Sequence, residues 1–283
     1  MMTMSISVLG LGMMGRPMAH RLLEAGCDVR GWNRSTLSPD LTEGIPLCAT
    51  VQEAARADVC LMMLLDSTAV DAVLEKMEPY LEAGQIVMDM SSSDPTHSTI
   101  HAQRLAAKGI GWIDAPVSGG PEGAAAGTLA IMAGGSTADF ANVKPVLDIL
   151  GGNVVHVGQA GMGHVVKVIN QVIVGLTIEA VAEALTLAEK SGVDPRLVQQ
   201  ALKGGFADSK ILQLHGTRMI KRRYEPGGKA TIQLKDLRLG RALAETAAVR
   251  LPHVESLITF YEKLIAQKDG ELDHSAIHKL LWT

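Results

Sequence analysis

Short runs of β-branched and aliphatic residues recur along the first half of the chain, each bounded by glycine, proline or small polar residues. Ser5–Leu9, Asp28–Trp32, Val59–Leu65, Gln85–Met90, Gly111–Val117, Leu129–Ala133 and Val154–Val157 read as strands. Between them the apolar spacing changes to that of a helix face, over Gly15–Ala25, Thr68–Tyr80, Pro95–Lys108 and Ala138–Leu150. Strands alternating with helices predict an α/β fold with a mostly parallel sheet. After Gly158 the period-two runs stop. A long helical stretch, Gly161–Lys190, is followed by helical patterns over Pro195–Leu202, Ser209–Lys221, Thr231–Arg250 and Pro252–Gln267. The chain therefore divides into an α/β domain over 1–160 and an all-helical domain over 161–283, joined by the long helix.

The first strand runs into Gly10-Leu11-Gly12-Met13-Met14-Gly15 and then into a helix. A G-x-G-x-x-G in that setting is the fingerprint of a Rossmann-type, doubly wound dinucleotide domain. The first glycine permits the tight turn, the second lets a pyrophosphate approach the backbone, and the third lets helix pack on strand. The end of the second strand bears on the choice of cofactor. An NAD site carries an acidic residue there to hold the ribose 2′-hydroxyl. This chain has Asn33-Arg34-Ser35 instead. An arginine beside hydroxyls suits a 2′-phosphate, so NADP (as NADPH) is expected and NAD is disfavoured. Other strand ends are rich in Ser and Gly, namely Ser91-Ser92-Ser93 and Ser118-Gly119-Gly120. Loops of that kind expose N–H groups to an anion or carboxylate.

The long helix holds an anomaly. Lys167, Asn170 and Gln171 interrupt a Val- and Ile-rich stretch. Gly163, Lys167 and Asn170 fall on one face, with Gly163 read as leaving room for a substrate. A lysine among so many aliphatic side chains either extends its stem to water or is kept for chemistry, since burying its charge is costly. His164 reads as a cap or a surface group and Asp114 as a structural residue.

Composition narrows the field. Aromatic residues make up only 3% of the chain and the net charge is −4, which argues against a nucleic-acid partner. Acidic residues are in excess over 1–160 and basic residues over 161–283. Cys27, Cys48 and Cys60 have no metal or redox spacing, and no metal site is expected. The long helix is too interrupted by polar residues for a membrane span, and no signal peptide is apparent, so a cytoplasmic protein is expected.

Four motifs together resemble the β-hydroxyacid dehydrogenase family, which includes 3-hydroxyisobutyrate dehydrogenases, tartronate semialdehyde reductases and glyoxylate/succinic semialdehyde reductases. They are GLGMMGRPMA at 10–19, DAPVSGG at 114–120, GQAGMGHVVKVINQ at 158–171 and LKDLRL at 234–239. The resemblance implies that Lys167 is the catalytic lysine and Asn170 the amide beside it. Ser118, Gly119 and Gly120 would bind the substrate carboxylate. Gly10–Gly15, Asn33, Arg34, Ser35, Leu64, Ser92 and Lys235 would hold the cofactor. Hydride chemistry on a small carboxylated semialdehyde or hydroxy acid follows, in a homodimer or homotetramer. A 3-hydroxyisobutyrate dehydrogenase is the enzymatic alternative. A non-catalytic nucleotide-binding module is the other, and the presence of Lys167 argues against it.

Overall fold

The computed structural model describes residues 4–282. The chain divides into two compact units, Met1–Lys167 and Val168–Thr283. The division between these compact units falls inside the long helix.

In the first unit, β1 (Ser5–Leu9), α1 (Gly15–Glu24), β2 (Asp28–Trp32), α2 (Val51–Ala54), β3 (Val59–Met62), α3 (Ser67–Met77), β4 (Ile86–Asp89), α4 (Pro95–Ala106) and β5 (Gly111–Asp114) follow in order. Then come β6 (Val117–Ser118), α5 (Gly120–Ala126), β7 (Leu129–Gly135), α6 (Thr137–Leu150) and β8 (Gly151–Gly158). The strand order is β2-β1-β3-β4-β5-β7-β6, with β8 also on β7. The first five strands are mutually parallel, and β7 reverses direction against β5 and β6. Alternate residues of the central strands serve opposite faces. Leu61 and Met88 enter one apolar cluster with Met18 and Leu22, while Cys60, Met62 and Val87 enter another with Leu74 and Leu105. Both faces are covered, which is the doubly wound arrangement.

The register aligns the ends of these strands. Leu9 pairs with Trp32 and with Met62, Met62 pairs with Asp89, and Asp89 pairs with Asp114. The C-terminal ends of five parallel strands therefore lie in one row, and the loops leaving them are neighbours. The expected strand over 111–117 is cut at Ala115-Pro116, because proline removes a ladder donor. Ser118 thus ends β6, and Gly120 opens the short helix α5, which no periodicity announced.

The helix α7 (Met162–Lys190) begins in the first unit and continues through the second. Its first turn is tightly held within the first unit. A Cβ on Gly163 would lie 2.4 Å from the carbonyl oxygens of both Asp114 and Met132. This corrects the reading of Gly163 as space for a substrate: the glycine lets helix meet strand. The Asp114 carboxylate accepts from the backbone N–H of Gly161 at 2.7 Å and of His164 at 3.0 Å. Helix N-terminal N–H groups have no partner within the helix, so a buried carboxylate satisfies them.

The second unit continues with α8 (Pro195–Leu202), α9 (Lys210–Lys221), α10 (Ala230–Thr246), α11 (Pro252–Ala266) and a 3-10 segment, His274–Leu281. Ile178, Ala182 and Leu185 of α7 pack there with Leu212, Leu237, Leu257 and Tyr261. α7 is long and apolar enough to cross a membrane, although the helical core takes up one side of it. Ile169, Ile173 and Leu187 are exposed.

Gly163→Ala is expected to cost about 2–3 kcal/mol of unfolding free energy in urea titration, because the backbone atoms it meets cannot rotate away. Asp114→Ala, which strands two buried N–H donors, should cost about 2–4 kcal/mol by the same measurement. Burial raises the Asp114 carboxyl above its usual range despite those bonds and the nearby His164. The folded state then holds this proton more tightly than the unfolded state. Its contribution to stability must fall as pH rises from about 4 through the raised value, and Asp114→Asn should flatten that part of the curve.

Candidate active site

The glycine turn leaves β1, between the ends of β2 and β3 in the row of strand ends. Gly10 has φ +101°, and a Cβ there would be 2.3 Å from the Met63 carbonyl oxygen. A Cβ on Gly15 would be 1.9 Å from the Gly10 carbonyl oxygen. These two glycines are required by the turn itself. Gly12 differs, since its Cβ direction meets nothing within 4 Å. The turn therefore leaves an open cradle of backbone at its middle glycine, at the start of α1, as a pyrophosphate requires. Leu11 is buried, Met13 is exposed, and Met14 precedes the first residue of α1 without a side-chain capping bond.

Asn33 closes the turn onto the end of β2. Its Oδ1 accepts from the Leu11 N–H at 3.1 Å, and its Nδ2 donates to the Ser35 carbonyl at 2.8 Å and to Ser35 Oγ at 3.1 Å. Its side chain organises the loop, and Arg34 and Ser35 stand exposed beside it. A dinucleotide fits this set: open backbone at Gly12, with an exposed cation and hydroxyl at the end of β2. Leu64 and Ser92 occupy the next two strand ends. The Leu64 N–H donates to Ser91 Oγ at 2.9 Å, which ties those loops together. Ser92 is half-buried.

Lys167 is the last residue of the first unit and only 8% exposed. Its Nζ donates to the Val117 carbonyl at 2.8 Å. The amine is thereby held at the loop bearing Ser118, Gly119 and Gly120. Gly119 and Gly120 have φ of +141° and +68°, conformations that side chains rarely adopt. The stem does not carry this amine out to water; it carries it to the loop.

Local pattern carries no warning of what surrounds the helix start. His164 is fully buried, not a surface group or a simple cap. Its Nε2 is 3.2 Å from the Ser91 carbonyl oxygen and 3.6 Å from Asp89 Oδ2. Its Nδ1 is 3.8 Å from Asp114 Oδ2. Asp89, 1% exposed, accepts from the Ser91 N–H and from Ser93 Oγ, each at 2.9 Å. One imidazole thus lies between two buried carboxylates at the paired ends of β4 and β5. A helix-start histidine combined with an aspartate ending each of two apolar strands was the available signal.

In the second unit, Asn170 donates to Gln171 Oε1 at 2.9 Å, and Gln171 donates to Asp236 Oδ2 at 2.6 Å. Lys235 Nζ is 3.3 Å from Asp236 Oδ1. Asp236 is 2% exposed, so it fastens α10 to α7 and is not a surface charge. Asn170 and Lys235 belong to one polar network of the helical unit.

Known proteins resemble this chain along its length. Residues 5–158 match the family described as the NAD binding domain of 6-phosphogluconate dehydrogenase. Residues 161–281 match the NAD-binding domain of NADP-dependent 3-hydroxyisobutyrate dehydrogenase. The chain is 41% identical to 2-hydroxy-3-oxopropionate reductase of Escherichia coli, covering 98% of this chain and 97% of that one. It is 34% identical to 2-(hydroxymethyl)glutarate dehydrogenase of Eubacterium barkeri, covering 98% and 95%. Its fold matches a Mycobacterium tuberculosis 3-hydroxyisobutyrate dehydrogenase structure solved with L-serine, with a TM-score of 0.88, 29% identity and full coverage of both chains. With the open glycine turn, the buried lysine and both halves matched along nearly their whole length, the chain is an oxidoreductase that binds a pyridine nucleotide and belongs to the β-hydroxyacid dehydrogenase family.

Proposed function

We propose that this protein reduces a small carboxylated semialdehyde to the hydroxy acid with NADPH, reversibly, and that Lys167 is its general acid and base. The observation that carries this reading is the placement of Lys167, buried with its amine 2.8 Å from the Val117 carbonyl beside the Ser118–Gly120 loop. When bound, the nicotinamide supplies or accepts the hydride. The chain supplies the rest. The Lys167 ammonium polarises the substrate carbonyl and gives its oxygen the proton. In the oxidative direction the neutral amine takes the hydroxyl proton. Ser118, Gly119 and Gly120 present a hydroxyl and backbone N–H groups to the substrate carboxylate. Asn170, one turn beyond Lys167, holds the reacting oxygen or the amine. Ser92, Leu64 and Lys235 are assigned to the cofactor, Ser92 to its nicotinamide ribose.

The names of the relatives support the substrate class: one is a 2-hydroxy-3-oxopropionate reductase and another a 2-(hydroxymethyl)glutarate dehydrogenase. Arg34 and Ser35, exposed and with no carboxylate at that strand end, support NADPH over NADH.

NADPH oxidation followed with tartronate semialdehyde, glyoxylate, succinic semialdehyde and methylmalonate semialdehyde tests the assignment. At least one should turn over, and Lys167→Ala should lower its kcat by about 10²–10⁴-fold with KM changed far less. A variant with wild-type kcat would exclude Lys167 from proton transfer. Arg34→Ala should weaken NADPH by about 10-fold or more, the loss of one charge-assisted contact, and leave NADH nearly unchanged. Equal or better rates with NADH in the wild type would overturn the cofactor preference.

A further inference from the structure

Asp71 on α3 and His97 and His101 on α4 form a second cluster in the first unit, apart from the groups of the candidate active site. The two histidines are at i and i+4, so they share one helix face. His97 Nδ1 is 2.9 Å from Asp71 Oδ2, and His101 Nε2 is 2.7 Å from Asp71 Oδ1. The three donor atoms all lie within 4.8 Å of one another. A tetrahedral Zn²⁺ about 2.0–2.1 Å from each donor holds them about 3.3–3.4 Å apart, so the two contacts to Asp71, now 2.9 and 2.7 Å, would open by about half an ångström to admit the ion.

The surroundings fit an open three-ligand site. The His101 ring is buried, with its centroid 5.1 Å from that of Trp112. The His97 and Asp71 side chains are 42% and 39% exposed, so water can complete the coordination shell. Arg104 approaches His101 Nδ1 at 3.4 Å. Its guanidinium is held by Glu78 at 3.0 Å, and a metal on Nε2 would leave the ring proton on Nδ1, so this 3.4 Å contact would have to be given up.

A comparable cluster, His215, Asp273 and His274, is a poorer candidate. There the Asp273 carboxylate is already held by Arg218, by the Gly227 N–H and by Ser275. A guanidinium occupies the place of the ion.

We propose that Asp71, His97 and His101 bind a divalent transition-metal ion of the Co²⁺–Zn²⁺ series, which staples α3 to α4. Two imidazoles and one carboxylate are the donor set for such ions and not for Mg²⁺ or Ca²⁺. The sequence shows half of the site as His97-x-x-x-His101; Asp71 joins it only through the packing of α3 beside α4.

Untagged full-length protein, stripped with a chelator, can be titrated with Co²⁺ by visible absorption and with Zn²⁺ by calorimetry and thermal melting. One ion per chain is expected, with a Kd tighter than about 100 μM, a d–d absorption band and a raised Tm. Mg²⁺ should produce none of these. His97→Ala and Asp71→Asn, both at partly exposed positions, should each weaken binding at least about 10-fold while leaving far-UV circular dichroism and turnover unchanged. A wild-type Kd weaker than about 1 mM, or affinity unchanged in both variants, would overturn the proposal.

Discussion

The first turn of α7 is fixed by a buried carboxylate, and the candidate site depends on that fixation. Asp114 ends β5 with no solvent exposure and accepts two N–H groups of the helix start. Gly163 lets the helix approach until its backbone touches carbonyl oxygens of β5 and β7. Burial and hydrogen bonding oppose each other at this carboxyl, and burial prevails, since its proton is held more tightly than usual. The site accepts that cost and gains a helix whose rotation and depth are set by backbone contacts, not by a flexible side chain. Lys167, one turn further on, inherits the placement.

His164 extends the same constraint to the neighbouring strand. Its ring reaches the Ser91 carbonyl and faces Asp89, so the β4 loop, the β5 end and the helix start are joined through one side chain. That β4 loop carries Ser92, and Ser91 in turn fastens Leu64. The loops that carry Ser92 and Leu64 and the helix turn that leads to Lys167 are thus anchored to one buried cluster. Shared footing of this kind suits the proposed chemistry, because misplacement of reacting groups by about 1 Å is costly in rate. Along α7 the polar thread continues in the helical unit, from Asn170 through Gln171 to Asp236 and Lys235.

What could be read from the sequence was what local pattern encodes. The strand–glycine–helix start, the alternation of strands and helices and the apolar helix with its lysine all follow from spacing, and the structure has them. Element ends read less well: β5 stops at Asp114 because Pro116 cannot donate, and α5 is too short to show a period. The largest miss, His164, is physical in origin. A histidine at a helix start looks like a cap. Only the register that pairs Asp89 with Asp114, residues far away in sequence, makes it a buried bridge. Gly163 was misjudged for the same reason, since the strand backbones it touches are distant along the chain. Lys167 was ambiguous from hydropathy alone, and the Val117 carbonyl decides where its stem leads.

The proposed function rests on proton transfer by the Lys167 amine. The most direct measurement is chemical rescue of the Lys167→Ala variant by a small primary amine such as methylamine, with NADPH and the best semialdehyde. Turnover is predicted to rise with the concentration of the amine and to track its pKa across a series of amines. Turnover at the wild-type rate without any amine would contradict that claim.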